Sequence, residues 1–517
     1  MMKKLICLAL VLAMCLSLVA CGTANVPDNS NPPPSQSVEP SPSPSAEQPA
    51  PSVEPAPSKE PEPSVTPDPE PSKEPIHYIS VVVRSQEELD ALPQREDAER
   101  IGGVYVSSIV IPNLSALAGL PNLTSLTLSE CRELADISVL AGLPNLKNLT
   151  FDRCYELTDL SALAGLTNLK GLTFDRCYGL TDISALARLT NLTTLTLSEC
   201  RELTDISALA GLPNLKNLTF DRCYDLTDIS ALAELTNLTT LTLEYHNLAD
   251  LSALAGLTKL TDLDLSHCVN LTDISALAGL PNLTSLDLSY CENLADISAV
   301  AGLTNLTDLR LSGYFTDISA LAGLTNLTNL TLTSPSLPDI SALARLTNLT
   351  SLALPGCREL TDISLLAGLT KLTNLDLSYC GNLTDISALV GLPNLTSLTL
   401  SECHKLTDLS TLAWLTNLTD LDLSYCGNLT DISALAGLTN LTELTLSKCK
   451  KLTDISPLAK LPNLRTLDLA YCENLADISA LAELPNLRSL RLERCAKITD
   501  SQVEELQSKL PNTKIKH

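Results

Sequence analysis

The chain has 517 residues and a net charge of −26, with 44% hydrophobic but only 3% aromatic residues. This excess of carboxylates argues against a nucleic-acid partner and against direct adhesion to an anionic membrane, since both present negative groups that the surface repels. It leaves soluble display, cationic partners or calcium open. A chain this long would ordinarily suggest about three globular domains, but an internal repeat overrides that count.

At the N-terminus Lys3 and Lys4 precede an apolar run from Leu5 to Ala20. A charged start and an apolar middle too short for a comfortable bilayer span read as a secretory signal, residues 1–20. Residues 23–75 are nearly all Pro, Ser, Glu, Ala and Asn. That composition cannot bury a core and favours extended polyproline conformation. At about 3.1 Å per residue it would reach roughly 150 Å, so 21–75 is expected to be a stalk. Residues 76–112 are expected to cap the first edge of a stacked sheet. There Ile79–Val83 reads as a strand, Ser85–Leu92 as a capped helix and Val104–Ile111 as a second strand.

From here a single unit recurs across residues 113–498. The aspartate of its Asp-Ile-Ser or Asp-Leu-Ser core falls at Asp136, Asp159, Asp182, Asp205 and Asp228, each 23 residues apart, and continues to Asp500 with spacings of 21 to 23. A fixed period in this range signals a solenoid. In a clear copy, Thr194-Leu-Thr-Leu-Ser198 alternates strictly and predicts a strand with Leu195 and Leu197 on one face. The following Ile206-Ser-Ala-Leu-Ala-Gly-Leu212 predicts a short helical turn with Ser207 as N-cap, ended by Pro213-Asn214. Stacked units would share a parallel sheet with strands about 4.8 Å apart. After the last unit, Asp500–Leu510 reads as an amphipathic helix and Thr513–Ile515 as a final strand, so 499–517 is expected to close the core.

The Asp-Ile-Ser-Ala-Leu-Ala-Gly-Leu-Thr-Asn-Leu half resembles the internalin-type repeat of bacterial leucine-rich repeat proteins. The Leu-x-Leu-x-x-Cys ending resembles their cysteine-containing subclass. The resemblance covers roughly residues 104–515. It implies an α/β solenoid, a horseshoe or arc with a parallel β-sheet on the concave face and short helical turns on the convex side. It also implies a binding role without catalysis, and a cysteine that points inward. At the other end, Leu18-Val-Ala-Cys21-Gly22 resembles the lipobox of bacterial lipoproteins. That implies lipidation of Cys21 and anchoring on the extracellular face of the bacterial cytoplasmic membrane. Each buried methylene of the acyl chains would add about 0.8 kcal/mol.

Fourteen of the seventeen cysteines share one repeat position, from Cys131 to Cys495; Cys7, Cys15 and Cys21 lie in the signal and lipobox. An even number in an exported chain suggests disulfides, but parallel Cβ vectors in a stack oppose the convergence a disulfide needs. A ladder of buried thiols is the expectation. The aspartate column is expected to accept backbone N–H bonds at each turn, with calcium bridging as the other reading. His246 stands where cysteine should be and His267 precedes Cys268; these three could approach one another. No Cys-x-x-Cys pair, catalytic triad or phosphate loop occurs, so no cofactor, metal or enzymatic activity is expected.

Ligand contacts are expected from variable positions on and beside the strand face. Arg153, Arg176 and Arg222 follow Asp152, Asp175 and Asp221 in the early units. Asp264, Asp287, Asp376, Asp422 and Asp468 come later, with Tyr245, Tyr290, Tyr379, Tyr425 and Tyr471 just beyond the strands. Tyr and Arg dominate binding surfaces. A protein partner on another cell or in the envelope, a glycan ligand, and a spacer without ligand all fit this surface. Two shortened units, around Gly313-Tyr314-Phe315 and Ser334–Pro338, distort the pattern; Tyr314 and Phe315 either plug the missing thiol's place or form a contact patch.

Overall fold

Each leucine-bearing strand needs a neighbour to cover it, and the chain supplies one every repeat. A computed structural model describes residues 77–107 and 110–517, which lie within one compact unit beginning at Lys73. Cys21 and the segments expected to be a signal and a stalk lie outside the described residues. Strand β1 (Ile79–Val83) pairs in parallel with β2 (Ile101–Ser107), and β2 with β3 (Ser125–Ser129). The pattern continues through β4 (Asn148–Asp152), β5 (Gly171–Asp175), β6 (Thr194–Ser198), β7 (Asn217–Asp221), β8 (Thr240–Glu244), β9 (Asp262–Asp264), β10 (Ser285–Leu288) and β11 (Asp308–Ser312). It runs on through β12 (Asn329–Thr333), β13 (Ser351–Ala353) and β14 (Asn374–Asp376) to β20 (Lys514–Lys516), making one 20-stranded parallel sheet in chain order.

The register is in phase, so that Leu126, Leu149, Leu172, Leu195 and Leu218 lie side by side. In the unit of β6, the side chains of Leu195, Leu197, Cys200, Leu203, Ile206, Leu209, Leu212 and Leu215 are all buried. Each leucine removed from water contributes about 1.5–3 kcal/mol, and all of that gain depends on the adjacent unit being present. Phe151 and Phe174 replace the second leucine in β4 and β5 and stack at 5.2 Å between ring centroids.

The return segment is a single turn of 3-10 helix, Ser207–Gly211 in this unit. Ser207 does not cap it. Ile206 occupies the cap position without a side-chain bond. The Ser207 N–H instead donates to Asp205 Oδ1 at 2.8 Å. An aspartate two residues ahead reaches the first free N–H of the turn, so the capping role passes from serine to the aspartate column. The same bond recurs at Asp136, Asp159, Asp182 and Asp228.

Asparagine forms a ladder that the sequence reading treats only as loop and strand entry. Asn214 Nδ2 donates to the Thr190 carbonyl at 2.9 Å, and Asn237 Nδ2 to the Pro213 carbonyl at 2.7 Å. Each bond crosses to the preceding unit and satisfies a loop carbonyl.

The two ends differ in detail from the expectations. Helix Gln86–Ala91 is capped by Ser85, whose Oγ accepts the Glu88 N–H at 3.2 Å, and Leu92 already belongs to a separate turn. Strand β2 begins at Ile101 rather than Val104, and Ile111 is buried outside any strand. Gly102 and Gly103 hid the earlier start: a Cβ on Gly102 would sit 2.9 Å from Tyr78 Cβ, and one on Gly103 2.6 Å from Ser80 Oγ, so side chains here would press on β1 and the residues before it. The last helix, Asp500–Lys509, carries a capping box between Thr499 and Gln502. Strand β20 starts one residue past Thr513, whose buried hydroxyl donates to the Leu487 carbonyl at 2.7 Å. Among the described residues no helix is long and apolar enough to cross a membrane.

The N–H bond to the turn holds the carboxyls of Asp136, Asp159, Asp182, Asp205 and Asp228 below their ordinary value of 3.8. A carboxyl depressed on folding adds stability above its unfolded pKa and loses it as pH falls through the folded one. The melting temperature should therefore drop as pH falls from about 5 toward 2. Replacing these five aspartates by asparagine, which keeps the Oδ1 acceptor, should flatten that drop in a thermal melt series.

Candidate functional site: the sheet and its edge row

The residue just before each cysteine has a left-handed backbone. Fourteen non-glycine residues, from Glu130 to Arg494, hold φ between 50° and 63°, thirteen before a cysteine and Tyr245 before His246. The conformation costs about 1–2 kcal/mol for an L-residue. It is held by the sheet: the Arg153 N–H donates to the Asp175 carbonyl at 2.8 Å, and Tyr379 N–H to the Ser401 carbonyl at 2.8 Å. The turn sends the following cysteine inward and the residue before it outward. Arg153, Arg176, Arg222, Tyr245, Tyr290, Tyr379, Tyr425 and Tyr471 thus stand in one row along the sheet edge. His267 belongs to it too, and Glu130, Glu199, Glu402, Lys448 and Arg494, which the sequence reading did not single out, complete it.

Row neighbours pair with one another. Arg153 Nη1 lies 3.0 Å from Glu130 Oε1, Arg176 Nε 3.1 Å from Glu199 Oε1, and Arg222 Nη1 3.0 Å from Asp221 Oδ2. The Arg222 guanidinium also covers the Tyr245 ring at 4.6 Å. His267 is sandwiched between Tyr245 and Tyr290, with centroids 3.9 and 4.3 Å away. Lys448 sits over the Tyr425 ring at 4.0 Å and the Tyr471 ring at 5.3 Å. The early arginines are therefore tied into ion pairs, whereas Tyr290 and Tyr379 remain 57% and 54% exposed.

The aspartates between the strand leucines have a structural use as well. Oδ1 of Asp264, Asp287, Asp376, Asp422 and Asp468 accepts the N–H two residues on, at 2.7–2.9 Å. Their second oxygens differ: Asp468 Oδ2 meets Arg491 at 2.8 Å and Asp287 Oδ2 meets Arg310 at 3.4 Å. Burial pushes the carboxyls of Asp221 and Glu244 up, outweighing the effect of Arg222.

Behind the row, the fourteen cysteines of the described residues are buried thiols outside any disulfide. Many donate to a strand carbonyl of the preceding unit: Cys223 Sγ to Leu197 at 3.2 Å, Cys380 to Leu354 at 3.3 Å, Cys426 to Leu400 at 3.2 Å. The thiol thus completes a carbonyl at the end of the strand ladder. His246 does the same in its unit, with Nε2 at 3.4 Å from the Phe220 carbonyl, so Nε2 carries the proton. Burial lowers the pKa of His246 and keeps the ring neutral. His246 points inward while His267 stacks in the edge row, so these two and Cys268 do not converge. Among the described residues no group of three or more His, Cys, Asp or Glu is arranged to hold a metal ion. At the second break the two aromatics separate: Phe315 is 1% exposed and fills the core, Tyr314 is 61% exposed.

A 20-stranded parallel sheet built from units with a leucine-bearing strand and a 3-10 turn defines a leucine-rich repeat solenoid. Family profiles agree on that class. One described as leucine-rich repeats (2 copies) matches residues 258–302, 370–414, 416–460 and 462–508, and one described as a BspA-type leucine-rich repeat region (6 copies) matches 122–249. A comparison of the chain with curated proteins finds no match. Among solved structures, a leucine-rich repeat protein of Leptospira interrogans is 20% identical, covering 84% of this chain and 99% of its own, with a TM-score of 0.52. The mouse RP105/MD-1 complex gives 21% identity, 80% and 74% coverage and a TM-score of 0.52. An internalin of Listeria monocytogenes is 28% identical over 74% of this chain and 94% of its own, with a TM-score of 0.43. The first two share the fold.

Burial raises the thiol of Cys177, Cys291, Cys380, Cys426 and Cys472 from 9.0 to about 12. An acid whose pKa rises on folding contributes stability below its unfolded value. That stability is lost as pH climbs from about 9 toward 12. The native protein should therefore resist a thiol reagent at pH 8, with the fourteen repeat thiols titrating only in denaturant, and its melting temperature should fall above about pH 9.

Proposed function

We propose that this is a lipid-anchored bacterial surface protein whose leucine-rich repeat sheet binds a protein partner, with a role in adhesion. The observation that carries the reading is the row of exposed tyrosines. Tyr290, Tyr379, Tyr425 and Tyr471 expose two-fifths or more of their surface, or nearly so, at a backbone position where asparagine or glycine would cost less. Large aromatic rings kept in water at a strained position are of use to a ligand, not to the fold. Solubility alone is served by the Ser, Thr and Asp of the strand face.

Leucine-rich repeats commonly serve as interaction scaffolds, and the RP105 neighbour is solved as a complex with MD-1. Binding would rest on shape and on repeated polar and tyrosine contacts, with no bond made or broken. The lipobox-like Leu18–Cys21 and the proline-rich stretch after it support tethering at the outer face of the cytoplasmic membrane, with the solenoid held away from the lipid. The internalin-like half-repeat and the cysteine column support the corresponding repeat subclass.

Two measurements test this. Cys21→Ser should abolish metabolic fatty-acid labelling and release the protein from the membrane fraction. Tyr379→Asn, Tyr425→Asn and Tyr471→Asn together should weaken partner capture by the intact protein at least about tenfold. Because asparagine tolerates the left-handed backbone, the melting temperature should hold or rise. Undiminished capture places the contact elsewhere, and selective capture of glycans replaces the protein reading.

A further inference from the structure

The edge row is interrupted once. At the positions equivalent to Tyr290 and Tyr379, the three intervening units carry Gly313, Ser334 and Gly356. Gly313 still makes the row's bond, its N–H donating to the Thr333 carbonyl at 3.1 Å, and Gly356 keeps the left-handed backbone at φ 74°. Ser334 turns fully inward and donates to the Phe315 carbonyl at 2.7 Å. Three successive places in the row therefore send no side chain outward. The result is a cavity of about 460 Å³ walled by Tyr290 and Tyr379, with Tyr314, Pro335 and Pro355 along its surface. Four strand spacings separate its walls, about 19 Å, the span of roughly six residues of extended chain.

On β9, β10 and β11, the last two of which lead into this cavity, lies a second hollow of about 230 Å³, lined by Asp262, Asp264, Asp287 and Asp308. Arg310 is the cation in that lining, and its contact with Asp287 is a loose 3.4 Å. Strand β10 with the residues just after it, and strand β11, thus contribute to both hollows: Asp287, Asp308 and Arg310 to the acidic one, Ser289, Tyr290 and Ser312 to the apolar one. Tyrosine faces attract cations as well as apolar groups, and a chain of net charge −26 steers cationic ligands toward such a patch.

Resting on the reading that the sheet binds a protein, we propose that this depression seats an extended cationic segment of that partner. Its apolar or proline side chains lie on the tyrosine–proline surface and its Lys or Arg side chains on the carboxylates of β10 and β11. The missing side chains at Gly313 and Gly356 make the seat, and the carboxylates select its occupant.

Gly356 offers the direct test. A Cβ there meets nothing nearer than Thr333 Cγ2 at 3.8 Å, and fourteen non-glycine residues already tolerate this backbone elsewhere in the row. Gly356→Tyr should fold and fill the cavity. The probes are a fluorescein-labelled peptide mixing Arg with Leu and Pro, its Glu-for-Arg counterpart, and a set of oligosaccharides, each titrated into the intact protein by anisotropy at low and high salt. The Arg peptide should bind, more weakly in high salt, and Gly356→Tyr should weaken it at least about tenfold with the melting temperature kept. Asp287→Asn with Asp308→Asn retains the Oδ1 acceptor for the Ser289 N–H and should reduce both affinity and salt dependence. The proposal is overturned if the Arg peptide does not bind at millimolar concentration, if the Glu peptide binds as well, if Gly356→Tyr binds like the parent, or if an oligosaccharide alone occupies the cavity. A natural partner lost in the triple tyrosine variant but retained by Gly356→Tyr would overturn the seat while leaving the protein-binding reading in place.

Discussion

No unit of this protein can finish its own bonding. The strand leucines are covered only by the units beside them, and the carbonyl of Leu197 waits for the thiol of Cys223 in the next unit. The carbonyl of Thr190 waits for Asn214, and the carbonyl of Thr261 accepts the Thr284 hydroxyl at 3.1 Å. A buried carbonyl left without a partner costs about 1–3 kcal/mol, so each column of identical residues is a row of such debts settled by a neighbour. This explains why the columns are so uniform. At two breaks in the thiol column the substitute still reaches a carbonyl of the unit before: His246 meets that of Phe220, and Ser334 that of Phe315.

The same bonding frees the edge row from any role in the core. Its backbone is fixed by N–H bonds to the following strand, so its side chains can be Glu, Arg, Tyr, His or Lys without disturbing a leucine. Identity along the row then follows local pairing: charges in the early units, a Tyr-His-Tyr stack in the middle, and tyrosines alternating with Glu402 and Lys448 toward the end. The interruption at Gly313, Ser334 and Gly356 matters because the units on either side fill that place with a tyrosine.

The fold was legible in the sequence because the two signals that define it, leucine alternation and a fixed period, are local and repeated. Errors at one copy are corrected by the others. The aspartate column was legible for the same reason, but its partner was misassigned: Ser207 looks like a cap, and only the geometry of the turn shows Asp205 filling that role. The asparagine ladder and the bond from most thiols to a strand carbonyl of the unit before were not legible, because both join residues more than twenty positions apart. The tyrosines were visible as a column, yet their left-handed backbone was not, since Tyr, Arg and Glu carry no turn signal. The cavity was hidden for another reason. It is made of absences, and a glycine read alone does not announce that the units bounding the gap hold a tyrosine in its place.

A bond that always runs to the same place one period away has a genetic consequence. If a stretch of DNA encoding one whole period were lost or duplicated, the units brought together would meet with the same thiol, asparagine and threonine facing the same carbonyls. Unequal crossing-over between such similar segments would therefore lengthen or shorten the array while sparing its folding. What would change is the order of side chains along the rim, and the gap would move relative to either end. Selection could thus reshuffle what the surface recognises without revisiting the interior.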